Sequence, residues 1–119
     1  MPVPIEYYQS SRQFKKFMVD ARDVSGLATT NMAWNMVVGV FQTFRRRLPI
    51  NDALRFANAL PPGIRALFVA DWNIDEPLIP FSDTRSMLAE IKSVRSTHNF
   101  SPDSAIHDVA VALRRNVNN

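Results

Sequence analysis

The segment Asp71-Trp72-Asn73-Ile74-Asp75-Glu76 sets side-chain oxygens at alternate positions, as a calcium loop begins. Such a loop needs a glycine at its sixth place to turn and a bidentate glutamate at its twelfth. Those places hold Glu76 and Ser82, so the segment reads as a solvated loop that holds no metal. The two histidines, His98 and His107, stand nine residues apart, whereas a metal pair on one helix face wants a spacing of three or four. Without cysteine, disulfides, thiolate metal sites and thiol catalysis are excluded. No serine lies in a Gly-x-Ser-x-Gly elbow, and Gly26, Gly39 and Gly63 are too scattered to cradle a phosphate. No spacing singles out one pair of carboxylates. The expectation is a chain that is not an enzyme and has no cofactor.

Charge and aromatics leave two candidate surfaces. Arg45-Arg46-Arg47 and Arg114-Arg115 form a candidate polyanion-binding set, since each neutralised phosphate adds salt-dependent affinity. Both runs also fall where last helical turns are expected, and cations there complement the helix dipole by about 0.3–1 kcal/mol each. The net charge of +3 is small, so nucleic acid is the lesser expectation. Trp34, Met32, Tyr7 and Tyr8 form the candidate interface set. An exposed aromatic beside a methionine suits an adaptable protein contact. Trp72 reads instead as a lid over the fourth helix, and a core place for Trp34 is the other reading.

These groups must be carried by helices. Apolar residues recur at three- and four-residue steps along six segments. They run from about Glu6 to Arg22, Thr30 to Arg47, Asp52 to Leu60, Pro62 to Ala70, Asp83 to Ser96, and Ser101 to Arg115. Gly26 follows the first as an exit, Pro49 stops the second, and Pro61-Pro62 separates the third from the fourth. Cap oxygens are expected from Thr29, Thr30 or Asn31, then from Asn51, from Ser82 or Asp83, and from Ser101. The second segment is apolar on nearly every side, with Met36 and Val38 beside the main stripe, so it belongs at the centre. No convincing alternating strand is present.

Residues 6–48 and 83–117 read as a weak internal repeat, each a helical hairpin with an arginine-rich end. The expected fold is all-α: a six-helix bundle in which two helical hairpins flank a short central helix pair. The 119 residues, 46% of them apolar, suffice for one domain with its own core. The first residues lack a secretory pattern and no window approaches a membrane span, which points to a cytoplasmic protein.

The stretch Arg47-Leu48-Pro49-Ile50-Asn51-Asp52-Ala53, followed by Asn58-Ala59-Leu60-Pro61-Pro62-Gly63-Ile64-Arg65-Ala66-Leu67, resembles the bacterial domain-of-unknown-function family 2267. That family shows an Arg-Leu ending, a short Ala-rich helix, a Leu-Pro step, then an Arg-Leu helix leading into Trp and Pro, here Trp72 and Pro77. The resemblance covers most of the chain. It implies a small helical protein and carries no activity. The Asn31–Phe44 stretch is more aromatic and Met-rich than the family pattern. Taken together, the expected function is a non-enzymatic protein-interaction module with a protein partner or a second copy. The alternative is a weak nucleic-acid or other polyanion binder.

Overall fold

The computed structural model describes residues 3–117. Seven α-helices follow one another: α1 (Ile5–Tyr8), α2 (Ser10–Ser25), α3 (Thr30–Arg45), α4 (Ile50–Asn58), α5 (Pro62–Val69), α6 (Thr84–Ser93) and α7 (Ala105–Asn116). A 3-10 turn, Ser96–His98, lies between the last two, and no strand is found among the described residues. The structure thus has seven helices where six were expected. The backbone leaves helical geometry at Gln9 (φ −100°, ψ 10°) and divides the first segment. α1 buries no side chain, so little packing holds that turn in line with α2.

Local chemistry accounts for the other ends. Gly26 takes the left-handed conformation (φ 76°), and Leu27 N–H donates to the Arg22 carbonyl at 3.1 Å, closing α2. The Thr29 hydroxyl accepts from Met32 N–H and the Asp83 carboxylate from Ser86 N–H, capping α3 and α6. Asn51 is not a cap. α4 starts at Ile50, two residues before the expected Asp52, behind Pro49 and with no side-chain cap. Nor does Ser101 cap α7: its hydroxyl and its N–H both donate to Asn99 Oδ1, and the helix starts only at Ala105.

The core forms where the apolar stripes meet. Phe17 and Ala21 of α2 meet Met36, Val37 and Phe41 of α3, with Ile64 and Phe68 of α5, Ile91 of α6 and Val109 of α7, all buried. Phe17 stacks on Phe41 (ring centroids 6.3 Å), and Phe41 meets Phe68 edge-on (5.4 Å). Burying each large side chain contributes about 1.5–3 kcal/mol.

The arrangement of the hairpins differs from expectation. α2 and α3 are the central pair. α7 packs along α2 and α6 along α3, while α6 and α7 meet each other very little. The short α4–α5 pair lies against α2 and α3 through α5 rather than being clasped between two hairpins. The reason is the all-round apolar surface of α3, which takes neighbours on several sides. One of them comes very close: a Cβ on Gly39 would stand 2.7 Å from the Ile91 carbonyl oxygen of α6. Replacing Gly39 by Ala should therefore destabilise the fold by about 1–3 kcal/mol, although alanine is the better helix former. Urea denaturation followed by circular dichroism reads this. An unchanged or raised midpoint would mean that α3 and α6 do not cross at this distance.

Candidate functional site

The arginines at the end of α3 turn inward. Arg45 is buried, and its guanidinium donates to the carbonyls of Phe68 (2.8 Å), Ala70 (2.9 Å) and Asp71 (3.4 Å). These are carbonyls at and just past the end of α5, which no helical N–H reaches. The Trp72 ring covers the guanidinium at 5.3 Å, so the expected lid is half-buried and closes over Arg45. Burial, and Arg46 beside it, lowers the Arg45 guanidinium from its ordinary value, yet arginine stays charged inside proteins. Arg47 is buried too, donating to the Thr43 carbonyl and to Glu90. Arg46 is half-buried between Glu76 (3.1 Å) and Glu90 (3.0 Å). Arg45 and Arg47 thus present no free charge to a phosphate, and Arg46 is already paired.

Arg114 and Arg115 lie elsewhere, exposed on the last turn of α7. Arg115 lines a depression of about 690 Å³ with Lys16, Arg65 and Glu6. Arg65 is engaged there: it donates to the Ala57 and Leu60 carbonyls at the end of α4 and to the Tyr7 hydroxyl. Asp20 faces the same end of α7. Burial works against its charge, but hydrogen bonds from Lys16 and Asn116, with the nearby Lys16 and Arg115 charges, hold its carboxyl below the ordinary 3.8.

The structure places Trp34 on the wall of an open cleft of about 660 Å³. Trp34, Val38 and Gln42, spaced by four along α3, form one side, and Ala66 and Leu67 of α5 with Ala70 just past its end form the other. Phe14 meets Trp34 edge-on at 6.0 Å. Trp34 remains 38% exposed, so it is not a core residue. Asp71 (φ 54°) and Arg95 (φ 49°) also line the cleft, and they are the two described non-glycine residues in the left-handed region. Such a conformation costs on the order of 1 kcal/mol and tends to cluster at functional surfaces. The lining offers the Ser10 and Ser11 hydroxyls, one amide and one charge of each sign, with no histidine and no pair of acids. That suits binding an apolar body far better than moving a proton.

The remaining candidates are scattered. Met32 is half-buried in the first turn of α3 and does not line the cleft. Tyr7 and Tyr8 are exposed on α1, also outside it. His98 and His107 are exposed, and no group of three potential metal ligands occurs among the described residues. In the Asp71–Glu76 segment Asn73 accepts from Asp75 N–H and Glu76 pairs with Arg46. Sequence reasoning missed Val38, Gln42, Asp71, Arg95 and the α5 side of the cleft. The available signal was the second stripe on α3, Trp34, Val38 and Gln42, which a single buried face does not require.

Among known families, the chain matches a model described as Uncharacterized conserved protein (DUF2267) over residues 14–119. No curated protein and no solved structure matches it. The matched range contains the whole cleft lining except Ser10 and Ser11, and it leaves out α1 with Tyr7 and Tyr8.

Substituting Arg45 by Met should cost about 3 kcal/mol or more, because it strands buried carbonyls. Arg45→Lys should recover little of that, since one ammonium cannot span the same fork. Arg114→Met, on an exposed turn, should stay within about 0.5 kcal/mol of the parent. Chemical denaturation of the three variants measures this, and equal losses at both positions would refute the buried clamp. Asp20 sets a pH effect. Its carboxyl titrates lower folded than unfolded, so its stabilisation is present above the unfolded value and fades as pH falls through the folded one, below about pH 4. Asp20→Asn should flatten that acid limb in melts taken between about pH 2 and pH 5. A limb of unchanged slope would show that the pair contributes nothing.

Proposed function

This chain belongs to the DUF2267 family of uncharacterized conserved proteins, and we propose that it is a non-enzymatic protein-interaction module whose receptor is the Trp34 cleft. One observation carries the reading: an indole 38% exposed on the wall of a concave site that is otherwise mostly apolar. Tryptophan offers a large, rigid contact area, and it is among the residues that dominate binding energy when a partner covers them. The partner segment is an apolar stretch about two helical turns long. Trp34 to Gln42 spans eight residues, and at 1.5 Å per residue the cleft wall is about 12 Å long. Ala66 and Ala70 keep the opposite wall low enough for a backbone to approach.

The alternative, a polyanion surface, keeps only Arg114 and Arg115 as exposed members of the arginine set. Two exposed arginines provide too few phosphate contacts for more than weak, salt-sensitive binding.

The test is a peptide-display selection against the folded protein, followed by fluorescence anisotropy of the enriched peptides. Binders should be rich in apolar side chains. They should lose at least about tenfold in affinity on Trp34→Ala, and on Ala66→Glu, which fills the cleft from an exposed position. Both variants should keep a cooperative melt. Binders indifferent to both substitutions, or none enriched at all, would overturn the reading.

A further inference from the structure

The Trp34 cleft carries opposite charges toward its two ends. α5 runs alongside α3 in the same direction. At its start a Cβ on Gly63 would touch Phe14, which meets the Trp34 ring, and at its end the Phe68 and Ala70 carbonyls receive Arg45. Asp71, the next residue, therefore lies at the Gln42 end of the cleft. α6 runs the other way. Its Ile91 carbonyl lies against Gly39, and the His98 carbonyl further on accepts from Asn35 Nδ2 at 3.0 Å. Arg95 stands between these two contacts, toward the Trp34 end. Both side chains are exposed. Arg45 reaches Asp71 only at its backbone carbonyl, and Arg95 is engaged only through its own carbonyl, which accepts from His98 N–H. The Asp71 carboxylate and the Arg95 guanidinium are thus unpaired among the described residues.

We propose that the occupant of the cleft is a helix of a partner protein that runs antiparallel to α3, with its first turn at Asp71 and its last at Arg95. This rests on the cleft being the receptor and adds the form and direction of what it receives. Backbone chemistry gives the form. A strand would need unpaired backbone groups to bond to, and the carbonyls at the helix exits beside the cleft are taken. Arg45 occupies those of Ala70 and Asp71, Asn99 Nδ2 that of Val94, and His98 N–H that of Arg95. A segment laid here must satisfy its own backbone, as a helix does. Charge gives the direction. The first turn of a helix carries unpaired N–H donors and a partial positive charge, and its last turn carries unpaired carbonyls and a partial negative one. Asp71, with the half-buried Gln42 amide at the same end, offers acceptors to the first turn. Arg95 offers donors and a positive charge to the last. The opposite orientation would set like charge against like at both ends.

Nuclear magnetic resonance on the full chain tests the proposal, with peptides that need Trp34 for binding. Their ends are acetylated and amidated, so that terminal charges do not imitate the helix dipole. The carbon shifts of a labelled peptide should turn helical on binding. A nitroxide on its first residue should broaden the Gln42 and Ala70 amides most, and one on its last residue those of Ser11 and Trp34. Asp71→Asn and Arg95→Asn remove the charges, and asparagine tolerates the left-handed backbone at both positions. Each should weaken binding about two- to fivefold at low salt, and the loss should fade in about 1 M salt. An extended bound peptide, the reverse broadening pattern, or indifference to both asparagine substitutions overturns the proposal while leaving the cleft a receptor. Absence of any peptide sensitive to Trp34→Ala overturns both.

Discussion

The end of α3 ties three separate parts of the chain together through three consecutive arginines. Arg45 takes the last carbonyls of α5 and its exit, Arg46 holds the 72–81 segment through Glu76, and Arg46 and Arg47 share Glu90 of α6. Ile79 N–H adds a backbone bond to the Arg46 carbonyl. A buried cation is costly unless it is hydrogen-bonded, and here the terminal guanidinium nitrogens of Arg45 and Arg47 carry the bonds while their buried Nε groups have no partner. A guanidinium satisfies several acceptors at once with its fixed fork, which an ammonium cannot. The Trp72 ring then lies over the Arg45 guanidinium at 5.3 Å. Because that bond network fixes where α5 ends relative to α3, it also fixes the width of the cleft that α3 and α5 enclose.

The cleft follows from a mismatch on α3. Its apolar surface is wider than α2, α5, α6 and α7 can cover. Those neighbours take the stripe through Met36, Val37, Val40 and Phe41. The second stripe, with Trp34 and Val38, is left facing open space between α2, α5 and the turn after α6. Gly39 adds to this by letting α6 cross close to the middle of α3. Asp71 and Arg95, both left-handed, mark the exits of α5 and α6, where the chain turns sharply at the edge of the cleft. An open site built this way has shape and apolar area, and it lacks converging ionisable groups.

Charge is spent mostly inside the chain. Glu76, Glu90, Asp20, Asp52 and Asp103 each hold a cation. Arg45 and Arg65 act on carbonyls at helix ends. Such carbonyls lack intrahelical partners, and a side-chain fork is one way to supply them. The apolar face around Phe44, Leu48 and Phe81 is bordered by these settled charges. Exposed positive groups include Arg12 and Lys15, together with Arg114 and Arg115, which follow Leu113 of the groove beside that face.

Helix existence was legible in the sequence because it depends on spacing and on local breakers. Phe17 with Ala21, Val37 with Phe41, and Ile64 with Phe68 each fall four apart and are buried as that spacing demands. Gly26, Thr29, Pro62 and Asp83 act within a few residues of where they stand. The family resemblance was likewise readable from the Leu48–Leu67 stretch. The sequence did not reveal which arginines go inside. Arg45 and Arg114 both sit in a last helical turn, and only the α5 carbonyls brought beside Arg45 from 23 and more residues away distinguish them. It also could not assign α6 to α3 or α7 to α2, or leave Trp34 half open. Periodicity states which face of a helix is apolar, a property of neighbours in the chain. Which partner covers that face, and which part stays bare, depends on distant segments competing for the same surface.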